Sequence, residues 1–180
     1  KSGQAPALRN LSFEVKPREL VVITGTSGSG KSTVLDLIAG LHSPQLGTVT
    51  IDGVFPAQVP QSVLLQSVGY LSRDSNILPV TIREFLAMGR EKFSKVEIVE
   101  ACKQQAIDED ISQLPDGYET RICDMAQDSS LLRRIGLARV LITQSSLILI
   151  DEPDASSAEV RAAFLSTIRQ IRDDTTIISV

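Results

Sequence analysis

One hundred and eighty residues, 42% hydrophobic and 22% charged, suffice for one globular domain with a continuous core, which excludes a disordered chain or a collagen-like repeat. Eighteen basic against twenty-two acidic residues leave a net charge of −4, so no broad cationic surface offers itself to nucleic acid or acidic lipid, and any anion must be held locally. The longest apolar runs, such as Leu147–Ile150, fall far short of the roughly 20 residues of a membrane-spanning helix, and Cys102 and Cys123 form no CxxC pair, which points away from a zinc ribbon or disulfide scaffold and toward a reducing cytosol.

Along the chain, Leu11–Val15 alternates apolar and polar, Lys16-Pro17-Arg18-Glu19 interrupts, and Leu20–Ile23 reads as a continuous apolar strand of the buried kind. A Gly/Ser-rich loop from Gly25 to Gly30 follows, then Val34, Leu35, Leu37, Ile38 and Leu41 at helical spacing, with Gly40 as a stop signal. Gly47–Gly53 predicts a short strand closed by an Asp-Gly turn, pairing with the opening strands in an antiparallel sheet. From about Asn76 to Ala138 helix formers take over, with Ile82, Phe85, Leu86 and Met88 on one face and Val96, Ile98, Val99, Cys102 and Ala106 on another, which predicts an all-helical insertion. A helix over Leu131–Leu141, a buried strand at Leu147–Ile150, a helix over Ala158–Ile171 and a strand at Ile177–Val180 complete an alternating pattern that implies parallel pairing. The chain opens at Lys1 and stops at Val180 inside a β-like run, so the expectation is a single domain cut at both ends, with 1–72 and 138–180 forming a core with its β-subdomain and about 75–137 a helical subdomain.

Gly25-Thr26-Ser27-Gly28-Ser29-Gly30-Lys31-Ser32 fits GxxxxGK[ST] directly after an apolar strand and at the opening of an amphipathic helix, the context this motif requires. Its glycines let backbone N–H groups turn inward around an anion, and the helix N-terminus adds partial positive charge at the same point. Lys31 would reach the β- and γ-phosphates of a nucleotide, Ser32 would place its hydroxyl on Mg²⁺, and Thr33 closes the binding stretch. Past the apolar run Leu147–Ile150 come Asp151 and Glu152, at a strand end where ligands of parallel α/β sheets collect. Asp151 would hold Mg²⁺ through its water shell, and Glu152 would accept a proton from an attacking water. The long stretch from Lys31 to Asp151 leaves room for the helical insertion, more than a compact small-molecule kinase usually fills.

With the phosphate loop, the helical insertion, Leu137-Ala138-Arg139 and Leu149-Ile150-Asp151-Glu152-Pro153 in this order, the chain resembles the nucleotide-binding domain of an ABC transporter over nearly its whole length. Ala7–Phe13, Gly47–Gly53, Thr81-Ile82-Arg83-Glu84 and Leu114–Thr120 are similar to the exporter branch. The resemblance implies a P-loop NTPase with a RecA-like core, an antiparallel β-subdomain, and a helical subdomain touching a transmembrane partner. It also implies ATP and Mg²⁺ sandwiched between two such domains at the cytoplasmic face of a membrane, and an ATPase that powers export.

The departures from the family pattern are specific. Where the family carries a metal-contacting glutamine this chain has Arg73, a fixed cation that would repel the metal, and which equally reads as a solvated loop residue or a partner of Asp74. The family's LSGGQ signature falls on Gln127-Asp128-Ser129-Ser130-Leu131. Asp128 sets a carboxylate where the opposite subunit's γ-phosphate should dock, and Ser129 and Ser130 add bulk where glycine permits close backbone approach, so the composite site should weaken. Asp128 with the two serines also reads as an ordinary N-cap for the helix from Leu131, and both readings can hold. Asp154-Ala155-Ser156-Ser157-Ala158 departs from the run that signals across the dimer, and His42, the single histidine, reads as a surface loop residue. A degenerate ATP-binding module that turns over little ATP, as one half of an asymmetric pair, is the alternative to a working ATPase.

Overall fold

A computed structural model describes residues 6–60, 63–64, 67–71, 79–87, 93–125, 129–151, 158–171 and 173–180. In chain order these form β1 (Leu20–Val22), α1 (Lys31–Ile38), β2 (Val68–Leu71), α2 (Ile82–Ala87), α3 (Lys95–Gln104), α4 (Asp108–Ser112), α5 (Ser129–Thr143), β3 (Leu147–Ile150), α6 (Ala158–Ile171) and β4 (Thr176–Ser179). The strands lie in the order β1-β4-β3-β2, and every neighbouring pair is parallel. Val21, Ile178, Leu149 and Tyr70 stand abreast across the sheet, so the C-terminal ends of β1 and β3, the two strands that precede the phosphate loop and Asp151, open on the same edge.

Strand alternation divides the buried side chains between two faces. Leu147, Leu149 and Ile178 meet Val34, Leu35 and Ile38 of α1. On the other face Ile148, Ile150 and Ile177 meet Leu137 and Val140 of α5 and Ile168 of α6. Each such Leu or Ile contributes about 1.5–3 kcal/mol by leaving water, which is why the short strands hold. β3, sandwiched on both faces and flanked by β4 and β2, is buried at all four positions.

A third cluster belongs to the helices. Ile82, Phe85 and Leu86 of α2, Ile98 and Cys102 of α3, and Ile111 of α4 pack with Leu131, Leu132 and Ile135 from the first half of α5. The 15 residues of α5 therefore serve two cores, the helical layer through Ile135 and the sheet through Leu137 and Val140. Gly136 makes the second contact possible: a Cβ there would lie 2.5 Å from Leu71 Cδ1 at the end of β2. At its own end, α1 closes as a Schellman motif, with Gly40 at φ 68°, its N–H on Leu37 O (3.2 Å) and the Leu41 N–H on Asp36 O (2.9 Å).

Leu147–Ile150 and Ala158–Ile171 form over the bounds their periodicity predicts. Elsewhere long-range pairing overrides local pattern. The strand expected at Leu11–Val15 is absent, and Leu11 and Phe13 are exposed. Of the expected antiparallel sheet, the described residues retain one bridge, Ile51 with Val54, closed through Asp52 and Gly53, both at positive φ. Val15, Val49 and Ile51 instead lend their side chains to the α1 core, which satisfies their alternation without a backbone ladder. β1 is not the buried strand its apolar run suggests, because it sits at the sheet edge, with Leu20 50% and Val22 61% exposed. β2 escapes the sequence pattern because Gly69 interrupts its apolar run, although that glycine packs closely on Ile148 and Ser145. On α3 the inward face is Ile98, Ala101 and Cys102, while Val96 faces solvent and Ala106, expected on the same helix, lies exposed in the turn beyond its end.

Candidate functional site

Residues 23–30 join β1 to α1. Gly28 (φ 78°) and Gly30 (φ 91°) occupy the left-handed region, where a side chain is strained. A Cβ on Gly30 would also strike the Ala7 carbonyl oxygen at 2.7 Å. The Ser29 N–H donates to Thr26 O (3.2 Å), which tightens the turn, and Gly30 caps α1 with no side-chain acceptor. The N–H groups of the first helical turn, from Lys31, Ser32 and Thr33, thus face a loop that offers them no side-chain partner, the condition in which an anion binds.

The Lys31 ammonium folds back across this loop and donates to Gly25 O (3.0 Å) and Thr26 O (3.1 Å). One residue on, exposed Ser32 donates its hydroxyl to Asp151 Oδ1 at 3.0 Å. Asp151 is only 6% exposed, and its N–H donates to Leu71 O (2.9 Å), so the carboxylate is held by the strand edge behind it. Among the described residues no cationic side chain pairs with it, and no group of three or more His, Cys, Asp or Glu side chains could hold a metal alone. One hydroxyl and one carboxylate suit Mg²⁺ beside a nucleotide, since that ion takes few protein ligands and completes its shell with phosphate oxygens and water.

A second polar pair lies one helical turn away and is not visible in the sequence pattern: the Tyr70 phenol donates to Asp36 Oδ1 at 2.9 Å. Ser32 and Asp36, four residues apart, share one helix face, but no local pattern ties Tyr70 to them. In the helical layer, α5 runs from Ser129, and Ser130 lines a cleft of about 370 Å³ with Leu131, Arg134, Asp110, Gln113 and Leu114. Arg134 braces this region, donating to Asp110 Oδ2 (2.9 Å) and to the Gln105 (3.2 Å) and Ala106 carbonyls that end α3. Arg139, further along α5, lies over the Phe85 ring at 4.8 Å, and burial lowers the pKa of its guanidinium. Arg73, Asp128 and Glu152 fall outside the described residues.

A parallel sheet flanked by helices, a glycine loop opening the helix after one strand, and an acidic residue at the end of another define a P-loop NTPase. A family model described as ABC transporter matches residues 8–155, and the chain belongs to that family as an ATP-binding domain, the ATPase unit of such transporters. The chain is 36% identical over 176 residues to an ABC transporter ATP-binding protein of Bacillus subtilis, covering 96% of this chain and 31% of that protein. To an ATM1-type heavy metal exporter of Novosphingobium aromaticivorans it is 34% identical, covering 96% of this chain and 29% of the relative. A solved bacterial Atm1-family ABC exporter with ATP bound superposes with a TM-score of 0.84 at 34% identity, over 96% of this chain and 31% of that one. The chain thus spans about a third of the length of these proteins. Among the described residues no helix is long and apolar enough to cross a membrane.

Proposed function

We propose that residues 25–33 bind MgATP and that the domain hydrolyses it to power an exporter, docked on a transmembrane domain at the cytoplasmic face of a membrane and paired with a second nucleotide-binding domain. The observation that carries this reading is the 3.0 Å contact between Ser32 and Asp151, which joins the phosphate loop to the acidic strand end across most of the chain. Lys31 exchanges the carbonyls of Gly25 and Thr26 for the β- and γ-phosphates, and the N–H groups of the first turn of α1 orient the same oxygens. Ser32 and Asp151 would hold Mg²⁺, which supplies neutralisation of charge across the β- and γ-phosphates. Glu152, one residue past Asp151, accepts the proton of the attacking water. Residues of about 75–137 form the helical part that meets the transmembrane domain.

Asp128, Ser129 and Ser130 face the partner's ATP in this arrangement, and a carboxylate about 4 Å from a phosphate costs ~1–4 kcal/mol in wet surroundings. Arg73 replaces the glutamine that would contact the metal. These departures favour a second reading, a degenerate ATP-holding module with little or no hydrolysis of its own, a regulatory or asymmetric-dimer partner. ATPase activity of the full-length protein, alone and mixed with a partner of unaltered signature, separates the two. Turnover that rises with the partner and vanishes in Glu152→Gln supports hydrolysis on this chain. Bound ATP with no turnover in either setting supports the holding module.

A further inference from the structure

The two polar pairs on α1 belong to one closed ring. Ser32 and Asp36 lie one turn apart on the helix, Ser32 is bonded to Asp151, the Asp151 N–H to Leu71 O, and the neighbour of Leu71, Tyr70, returns to Asp36. β2 therefore grips both sides of the site, the acidic strand end through its backbone and the nucleotide helix through a phenol. Among the described residues the other contacts of α1 with the sheet, through Val34, Leu35 and Ile38, are apolar and so carry little directional preference. The helix also hangs at its N-terminus from the glycine loop. At the 5–6 Å side-chain radius of an α-helix, a roll of about ten degrees carries a terminal oxygen about 1 Å. Mg²⁺, with near-ideal octahedral geometry at about 2.0–2.1 Å, does not absorb such an error.

We propose that Tyr70 and Asp36 are positioning residues: their hydrogen bond fixes the roll of α1 over the sheet and thereby sets the separation across which Ser32 and Asp151 share a divalent cation. The proposal rests on the assignment of Ser32 and Asp151 to the metal, and its test keeps the two apart. In the full-length protein, a fluorescent ATP analogue is titrated in the absence of metal and across a range of Mg²⁺ concentrations, at low temperature to suppress turnover. Tyr70→Phe, which keeps the ring and loses the hydroxyl, should raise the Mg²⁺ midpoint roughly tenfold, the scale of lost outer-shell support, and leave metal-free affinity within about twofold. Asp36→Leu should do the same, and the double variant should be no worse than the worse single one, because both break one bond. Asp36→Asn keeps an oxygen that accepts from the phenol and should stay near wild type. Ser32→Ala is the control: if it does not move the Mg²⁺ midpoint, the metal assignment fails and this inference with it. If Ser32→Ala moves the midpoint while Tyr70→Phe and Asp36→Leu do not, or if these two weaken metal-free and metal-bound ATP equally, the positioning role alone is overturned.

Discussion

Around the phosphate loop, polar side chains reach partners far away in the chain, Ser32 to Asp151 and Tyr70 to Asp36, whereas in the helical layer polar contacts flank a core held by apolar packing. Among the described residues the helical layer's polar contacts include the Ser94–Glu97 capping box, Tyr118 to Asp108, Arg83 to Glu119 and Arg134 to Asp110, set around the apolar cluster. Directional bonds fix positions to fractions of an ångström, and apolar burial fixes a shape. The first serves a site that must fit phosphates and a cation. The second holds α5 in place through Leu131, Leu132 and Ile135, independently of which residues precede the helix.

The largest effect expected from breaking this contrast falls on the loop. Lys31→Ala should weaken ATP binding by at least about a hundredfold, since an ammonium on two phosphates makes charge-assisted bonds of about 1.5–3 kcal/mol each. Its thermal unfolding should stay near wild type, because among the described residues the Lys31 side chain makes two loop hydrogen bonds and no others. Unchanged ATP affinity in a folded variant would remove the phosphate-loop assignment.

The opposite pattern is expected next. Ile135, fully buried between α5 and the helical layer, should lose about 2–5 kcal/mol of stability on Ile135→Ala, read by denaturant unfolding, while ATP affinity changes little. If Ile135→Ala weakens ATP binding as strongly as it destabilises, the two regions are not built separately.

How much of this contrast was legible in the sequence follows from the range of the forces. The phosphate loop and its helix stand in one contiguous stretch, so spacing alone locates them. β3 and α6 are legible too, because continuous burial and a 3.6-residue period are local patterns. Strand order is not local: nothing near Leu20–Val22 says that it lies at an edge, and nothing near Tyr70 says that its hydroxyl meets a carboxylate on the helix after Lys31. The Leu11–Val15 alternation misleads for the same reason, since a period of two predicts a face to bury and not a strand to pair with.

Smaller effects sharpen the helical side. Ser94 accepts from the Glu97 N–H, and the Ser94 N–H and hydroxyl donate to the Glu97 carboxylate, which lowers that carboxyl's pKa. A folded value below the unfolded one gives stability that is present above the unfolded pKa and lost as pH falls through the folded one. The stability gap between wild type and Glu97→Gln should therefore narrow on acidification, in denaturant midpoints measured at neutral and acid pH. Smallest of all is a difference in thiol labelling. Burial pushes the Cys102 thiol up to about 11, so half-buried Cys123 should react first with a thiol reagent at neutral pH, and Cys102 only on unfolding.

We propose that the phosphate loop, Ser32 and Asp151 of this chain's own nucleotide site are intact while the face it turns to a partner's nucleotide is impaired. In a symmetric pair each ATP would meet Asp128, Ser129 and Ser130 of the other subunit, and both sites should close poorly. Sedimentation of the full-length protein with MgATP, in a Glu152→Gln background that traps the closed state, tests this directly. Asp128→Ser, Ser129→Gly and Ser130→Gly together should strengthen ATP-dependent association of the two nucleotide-binding domains, while the ATP affinity of the unassociated domain at Lys31 stays the same. No gain in association from the restored residues would contradict the claim and leave Asp128 as a helix cap alone.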